Sequence, residues 1–281
     1  LSFYRRHEFD EIGNFSSAPC KEFCFHVAKY HLVPDDHRNY KFEFDENDAV
    51  FGNLAKRFAL LDSCAKHKEI DVEISFCNGV AGAGKSRYIK VHNNIKTDLV
   101  LVNTRALKEV YTKIGISNVK TFQAGVLSGK EYRNVFVDEV FEVNLAYVYY
   151  LFTFNKIKGK VYGFGDQAQI RKIDFVGGCY SLLHDFGEVP VSVDVSQRIP
   201  VDVCEILTKS LQYPVKTTNR KKCSILFVDT VEHLLDRLHW PVQVFSQKAK
   251  ERWADRFRNS QVKTIHEWKG STVRNMVWVI E

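Results

Sequence analysis

A chain of 281 residues with 45% hydrophobic content has the length for about two domains, each with a buried core. It holds no apolar run near the roughly 20 residues of a membrane-spanning helix, and its seven cysteines, scattered and odd in number, fit reduced cytosolic thiols better than a disulfide framework. The net charge of +6 is uneven: residues 1–50 sum to −4, from six basic and ten acidic residues, whereas 246–275 sum to +5, from eight basic and three acidic ones.

Residues 1–68 carry no catalytic motif. Phe42, Phe44, Val50, Phe51, Leu54, Phe58, Leu60 and Leu61 predict a small core, with Asn47 or Asp48 capping a helix through Leu61. Cys20, Cys24, His26 and His31 have a spacing that matches no standard zinc pattern, and one residue between Cys24 and His26 is tight for chelation. A half-buried amphipathic helix is the expectation there. The start at Leu1 is that of an excised fragment or a piece of a polyprotein.

From Asp71 the pattern changes to short apolar strands, at 72–77, 99–102, 134–138, 160–164 and 191–195, alternating with helical stretches and polar loops. A second set follows at 225–228, 242–245, 262–265 and 276–280. This is the pattern of parallel sheets covered by helices, with ligands at the carboxyl ends of the strands. The fold class is α/β, with an accessory domain over 1–68, a first sheet domain over 69–190 and a second over 191–281. Pro190 and Ser192 mark the expected hinge, beside a nucleotide cleft.

The first loop carries the strongest signal. Gly79-Val80-Ala81-Gly82-Ala83-Gly84-Lys85-Ser86 matches the phosphate-loop pattern G-x-x-x-x-G-K-[ST] between a strand and a helix. Gly79 and Gly84 are expected to allow the unusual backbone path, with Gly82 beside them, so that successive amides face one anion at a helix N-terminus. Lys85 reaches toward the β- and γ-phosphates, and the Ser86 hydroxyl is a ligand for Mg²⁺.

Four further motifs follow. Val135-Phe136-Val137-Asp138-Glu139 ends an apolar strand in two carboxylates. Asp138 is placed to hold Mg²⁺ and Glu139 to orient and deprotonate a water. Gly165-Asp166-Gln167-Ala168-Gln169 offers Gln169 to the γ-phosphate, and Ser196-Gln197-Arg198-Ile199-Pro200 offers Arg198 to charge developing on the phosphoryl group. Thr264-Ile265-His266-Glu267-Trp268-Lys269-Gly270 closes the series. Around it, Phe245, Trp253, Phe257 and Trp268 interleave with the basic residues, a mixture suited to a nucleic-acid backbone and its bases.

The ordered set GVAGAGKS, VNTRA, FVDEV, GFGDQAQ, SQRIP and TIHEWKGST resembles the superfamily 1 helicases of positive-strand RNA viruses, in the alphavirus-like replicase group, over about residues 72–281. The resemblance implies an ATP-dependent RNA helicase with two RecA-like domains, using ATP or another nucleoside triphosphate with Mg²⁺. By position it makes Lys85, Asp138, Glu139, Gln169 and Arg198 the catalytic set. Gly79, Gly82, Gly84, Lys85 and Ser86 become the nucleotide loop, and Ser86 and Asp138 the metal ligands. Thr104, Arg105, Thr121, Thr264, His266 and Lys269 become RNA contacts. Lys269 stands where the family usually has Gln, and a Lys cannot accept a hydrogen bond. The chain stops at Glu281, where the family's sixth motif is due, so the second domain is expected to be truncated.

The resemblance also implies single-stranded RNA and other replicase components as partners, in host cytoplasm at membrane-associated replication complexes. Triple-gene-block movement proteins share the motifs and give a second reading. A non-catalytic RNA-binding module gives a third. Relatives also remove the terminal phosphate from RNA 5′ ends with the same site.

Overall fold

The computed structural model describes residues 3–4, 9–12, 23–34, 69–143, 145–169, 188–213, 215–222, 225, 228, 239–258, 260–268 and 276–279. The expected helix ending at Leu61 lies outside these residues, as do Cys20, Lys269 and Gly270. The chain forms two compact units, Leu1–Lys222 and Cys223–Glu281.

In unit 1 the strands are β1 (Phe3–Tyr4), β2 (Phe9–Ile12), β3 (Phe25–Pro34), β4 (Ile70–Gly79), β5 (Leu99–Val102), β6 (Val119–Thr121), β7 (Glu131–Tyr132), β8 (Val135–Asp138), β9 (Lys156–Ile157), β10 (Val161–Gly165), β11 (Val191–Val193), β12 (Val195–Ser196) and β13 (Lys216–Thr217). The helices are α1 (Lys85–His92), α2 (Arg105–Lys113), α3 (Phe122–Val126), α4 (Leu145–Phe154) and α5 (Val201–Leu211). β4, β10, β8, β5 and β6 pair in that order, all parallel. β10 therefore lies between the strand leading into the phosphate loop and the strand ending in Asp138, a RecA-like arrangement.

Alternation along each strand feeds two cores. Leu99, Leu101, Val135 and Val137 face one, with Val148 and Leu151 of α4. Val100, Val102, Phe136 and Phe164 face the other, with Ile89 of α1 and Tyr111 of α2. Burial on both faces explains why these strands read as continuous apolar runs. Each fully buried Val, Leu or Phe contributes about 1.5–3 kcal/mol, which outweighs the weak local propensities of such short strands.

The segment expected to be an amphipathic helix around His26 and His31 is instead strand β3. It pairs antiparallel with β4, His26 opposite Phe76 and Leu32 opposite Ile70. Ala28, Tyr30 and Leu32 are buried in the first core, whereas Lys29 is exposed and His31 half-exposed, and that period of two is incompatible with a helix face. Among the described residues no three His, Cys, Asp or Glu side chains cluster as a metal site.

The expected hinge around Pro190 and Ser192 lies within unit 1. β11 pairs parallel with β4 at Asn78 and Gly79, and Val80 N–H donates to Val193 O at 3.0 Å. Unit 2 has β14 (Val242–Val244), β15 (Val262–Thr264) and β16 (Val277–Trp278) in a parallel sheet of order β15-β14-β16, with α6 (Gln247–Ala254) and α7 (Ile265–Trp268). Residues 226 and 227 of the expected strand at 225–228 are not among those described.

Candidate functional site

The phosphate loop spans the end of β4 and the start of α1. Gly82 has φ +78° and Gly84 φ +99°, conformations that only glycine adopts without strain. The loop thus uses Gly82 and Gly84, where sequence reasoning assigned the unusual path to Gly79 and Gly84. Gly79 closes the strand instead, and a Cβ there would meet Ala83, Lys85 and Val193 at an ordinary 3.6 Å. Lys85 is buried at 8% exposure, and its Nζ donates to Gly79 O at 2.5 Å and Val80 O at 3.2 Å. Ser86 begins the exposed face of α1.

Asp138 is buried at the carboxyl end of β8. Its Oδ2 accepts from Tyr111 Oη at 2.6 Å and its Oδ1 from the Glu139 amide at 3.1 Å. Burial raises the Asp138 pKa above the usual carboxylate value, while the Tyr111 hydroxyl, the Lys85 ammonium and the Glu139 amide pull it down. Burial pushes the Tyr111 phenol far up. The Ser86 hydroxyl, just after β4, and the Asp138 carboxylate, ending β8, follow the two parallel strands that flank β10. They are hard oxygen donors, the kind Mg²⁺ takes with one or two protein ligands and phosphate oxygens completing its shell.

Glu139 has φ +55°, a left-handed conformation that costs a side-chain-bearing residue of order 1 kcal/mol or more. The kink turns the chain into a short 3₁₀ helix, Val140–Glu142, and Asn103 secures it by donating to Glu139 O at 3.1 Å. Such strain, held at the residue expected to orient water, fits a pre-set catalytic geometry.

The third corner is Asp166, buried after β10. It accepts from Tyr213 Oη at 2.5 Å, Gln169 Nε2 at 3.3 Å and the Ala168 amide at 3.2 Å. Asn78, buried on β4, donates to Val189 O at 2.7 Å and accepts from the Gln167 amide at 3.1 Å. Ser196 is fully buried and accepts from the amides of Arg198 and Ile199 at 3.1 and 3.0 Å. The Gln197 amide donates to Gly82 O at 3.0 Å. A Cβ on Gly82 would lie 2.6 Å from Ser196 Oγ and 2.7 Å from Arg198 Cβ, so the segment bearing Arg198 rests directly on the phosphate loop. The Arg198 side chain itself is exposed.

Lys85 and Ser86 thus follow β4 and Asp138 ends β8, on either side of β10, Asp166 and Gln169 are in contact, and the Arg198 segment lies against the loop. Sequence reasoning missed Tyr111, Tyr213 and Asn78, because their roles arise from contacts between distant segments that no local motif encodes. Tyr111 was legible only as an apolar position on α2.

The residues expected to touch RNA are spread over both units. Thr104 is the N-cap of α2, its Oγ1 accepting from the Leu107 amide at 3.1 Å, and Arg105 is exposed in the first turn. Thr121 ends β6. In unit 2, Thr264 N–H donates to Glu267 Oε2 at 2.7 Å, and Glu267 N–H to Thr264 Oγ1 at 3.4 Å. This reciprocal pair is a capping box that sequence reasoning overlooked, although T-x-x-E spells it. Lys250 Nζ donates to Glu267 Oε1 at 2.6 Å and holds that carboxyl below its usual pKa. Lys263 lies 4.6 Å from the Trp268 ring centre. His266 lies in α7.

A family model described as the viral superfamily 1 RNA helicase core domain matches residues 75–281. The replicase large subunit of tobacco mosaic virus (strain Korean NC 82) is 24% identical over 288 residues, covering 88% of this chain and 17% of that protein. The non-structural polyprotein pORF1 of avian hepatitis E virus is 28% identical over 254 residues, covering 88% and 15%. The chain spans less than a fifth of the length of these relatives. Among solved structures, the PRRSV helicase aligns with TM-score 0.49 at 14% identity, over 73% of this chain and 52% of that one. An arterivirus nonstructural protein 10 (helicase) in complex with DNA aligns with TM-score 0.49 at 16% identity, over 73% and 60%.

Proposed function

We propose, from the premise that this chain belongs to the viral superfamily 1 RNA helicase core family, that it hydrolyses ATP or another nucleoside triphosphate to translocate on single-stranded RNA and unwind duplexes in genome replication. The observation that carries the reading is the meeting of the phosphate loop, the buried Asp138 and the Asp166–Gln169 pair within one unit.

In this reading the amides at Gly82 and Gly84 cradle the phosphates, and Lys85 turns its ammonium from the loop carbonyls toward the β- and γ-oxygens. Ser86 and Asp138 hold Mg²⁺, which when bound neutralises charge on those oxygens. Glu139 orients and deprotonates the attacking water. Gln169 contacts the γ-phosphate, and Arg198 balances charge as the phosphoryl group transfers. Thr104, Arg105 and Thr121 on one unit, with Thr264, His266 and Lys269 on the other, contact RNA phosphates and sugars. Binding of that kind is weakly sequence-specific and weakens with salt.

The division proposed from the sequence puts 1–68 in an accessory domain, 69–190 in the first RecA-like domain and 191–281 in the second, whereas the compact units meet later in the chain, between Lys222 and Cys223. The relatives' names, replicase large subunit and non-structural polyprotein, support replication over movement between cells. They also support host cytoplasm and other replicase components as the setting. No helix among the described residues is long and apolar enough to cross a membrane.

The test is ATP hydrolysis with and without single-stranded RNA for this chain, a form extended past Glu281, and Lys85→Ala in each. RNA-stimulated turnover in the extended form, reduced about a thousandfold by Lys85→Ala, is expected. An extended form that binds RNA without ever hydrolysing ATP overturns the motor and leaves a nucleotide-responsive RNA binder.

A further inference from the structure

Tyr213 joins parts of the site that no sequence motif connects. Its Oη donates to Asp166 Oδ2 at 2.5 Å, and the same carboxylate oxygen accepts from Gln169 Nε2 at 3.3 Å. The ring packs against the core that includes Val80 and Ala83 of the phosphate loop. The residue is also held at its own backbone. Gln212, at φ +50°, turns the chain out of α5, the Tyr213 amide donates to Leu207 O at 3.1 Å, and Val215 N–H donates to Tyr213 O at 2.8 Å.

A tyrosine kept only for packing would satisfy its hydroxyl on any nearby carbonyl. Here the bond goes to the carboxylate that holds Gln169. A short bond to a buried carboxylate is among the stronger kinds, so the link is stiff. The Asp166 carboxylate has two oxygens and three donors, so losing Tyr213 leaves Oδ2 to Gln169 alone and frees the carboxylate to rotate.

We infer that Tyr213 is a positioning residue for hydrolysis, its hydroxyl fixing Asp166 and, through Asp166, the Gln169 carboxamide. This rests on the nucleotide hydrolysis proposed above.

The experiment is a double-mutant cycle of Tyr213→Phe and Gln169→Ala in the extended form, reading kcat and KM for RNA-stimulated ATP hydrolysis. Phe keeps the ring and removes only the hydroxyl. Tyr213→Phe is expected to lower kcat about tenfold, as loss of one hydrogen bond to a charged group does, with KM within about twofold. The double variant is expected to be no slower than Gln169→Ala alone, because both changes break one chain of contacts. An unchanged kcat overturns the inference, and so do effects that multiply in the double variant or fall on KM alone. Should Tyr213→Phe fail to fold, Asp166→Asn, which leaves one acceptor oxygen, carries the same cycle with Gln169→Ala. If the unmutated protein does not hydrolyse ATP, hydrolysis itself is refuted and the inference with it. If it does and the cycle is additive, only the inference falls.

Discussion

At Gly82 one missing methyl group decides whether the phosphate loop and the Arg198 segment can touch. A Cβ there would sit 2.6 Å from Ser196 Oγ, with φ at +78°, so Gly82→Ala meets both a collision and a strained backbone. Gly79→Ala meets only 3.6 Å contacts. We predict that Gly82→Ala loses at least about tenfold in affinity for a fluorescent ATP analogue and about 1–3 kcal/mol of stability, whereas Gly79→Ala stays within about 1 kcal/mol of the parent. Equal behaviour of the two variants in nucleotide titration and denaturant unfolding would refute this. The same pair shows where sequence reading reaches. The loop was legible because its chemistry sits in eight consecutive residues. Which glycine bears the left-handed turn depends on a neighbour more than a hundred residues away, and Tyr111 meets Asp138 only once α2 has packed on the sheet.

Among the elements, β3 teaches the same lesson from the other side. Its histidines and cysteines drew attention as possible ligands, yet the decisive signal was the alternation of Ala28, Tyr30 and Leu32 with Lys29 and His31. The parallel strand at 99–102 was legible because an apolar run bounded by polar loops has few alternatives, whereas the strand expected over 191–195 is divided into β11 and β12. The pairing of β3 with β4 carries a titratable tie. His31 Nδ1 lies 2.8 Å from Asp71 Oδ1, and Nε2 lies 3.3 Å from Glu69 Oε2. The Asp71 hydrogen bond raises the His31 pKa above its usual 6.5, against a smaller opposing effect of desolvation. Because the folded value lies above the unfolded one, the tie is fully present below about pH 6.5 and is lost as pH rises through the folded value. Unfolding of the parent should therefore lose a small increment of stability above about pH 6.5 that His31→Gln does not show. Parallel pH profiles for the two proteins would rule it out.

For the molecule as a whole, the phosphate loop, Asp138, Asp166, Ser196 and Tyr213 all belong to the unit Leu1–Lys222. A fragment of residues 1–222 is accordingly expected to bind a fluorescent ATP analogue within about threefold of the full chain. A loss of a hundredfold by equilibrium titration would show that this unit does not contain the binding determinants. One edge of β4 is shared end to end by β3, which comes before it in the chain, and by β11, whose Ser192 contacts Asn78 across 114 residues. These two partners reach β4 at different moments in the life of the chain. Strand β3 leaves the ribosome before β4 and is ready to receive it. The loop gains its wall at Val193 and Ser196 only when a much later stretch has been made, and closing so long a loop is the slow kind of step in folding. During synthesis the phosphate loop is therefore hung from its strand early and enclosed late, so the triphosphate binding proposed for it would be acquired near the end of translating this unit.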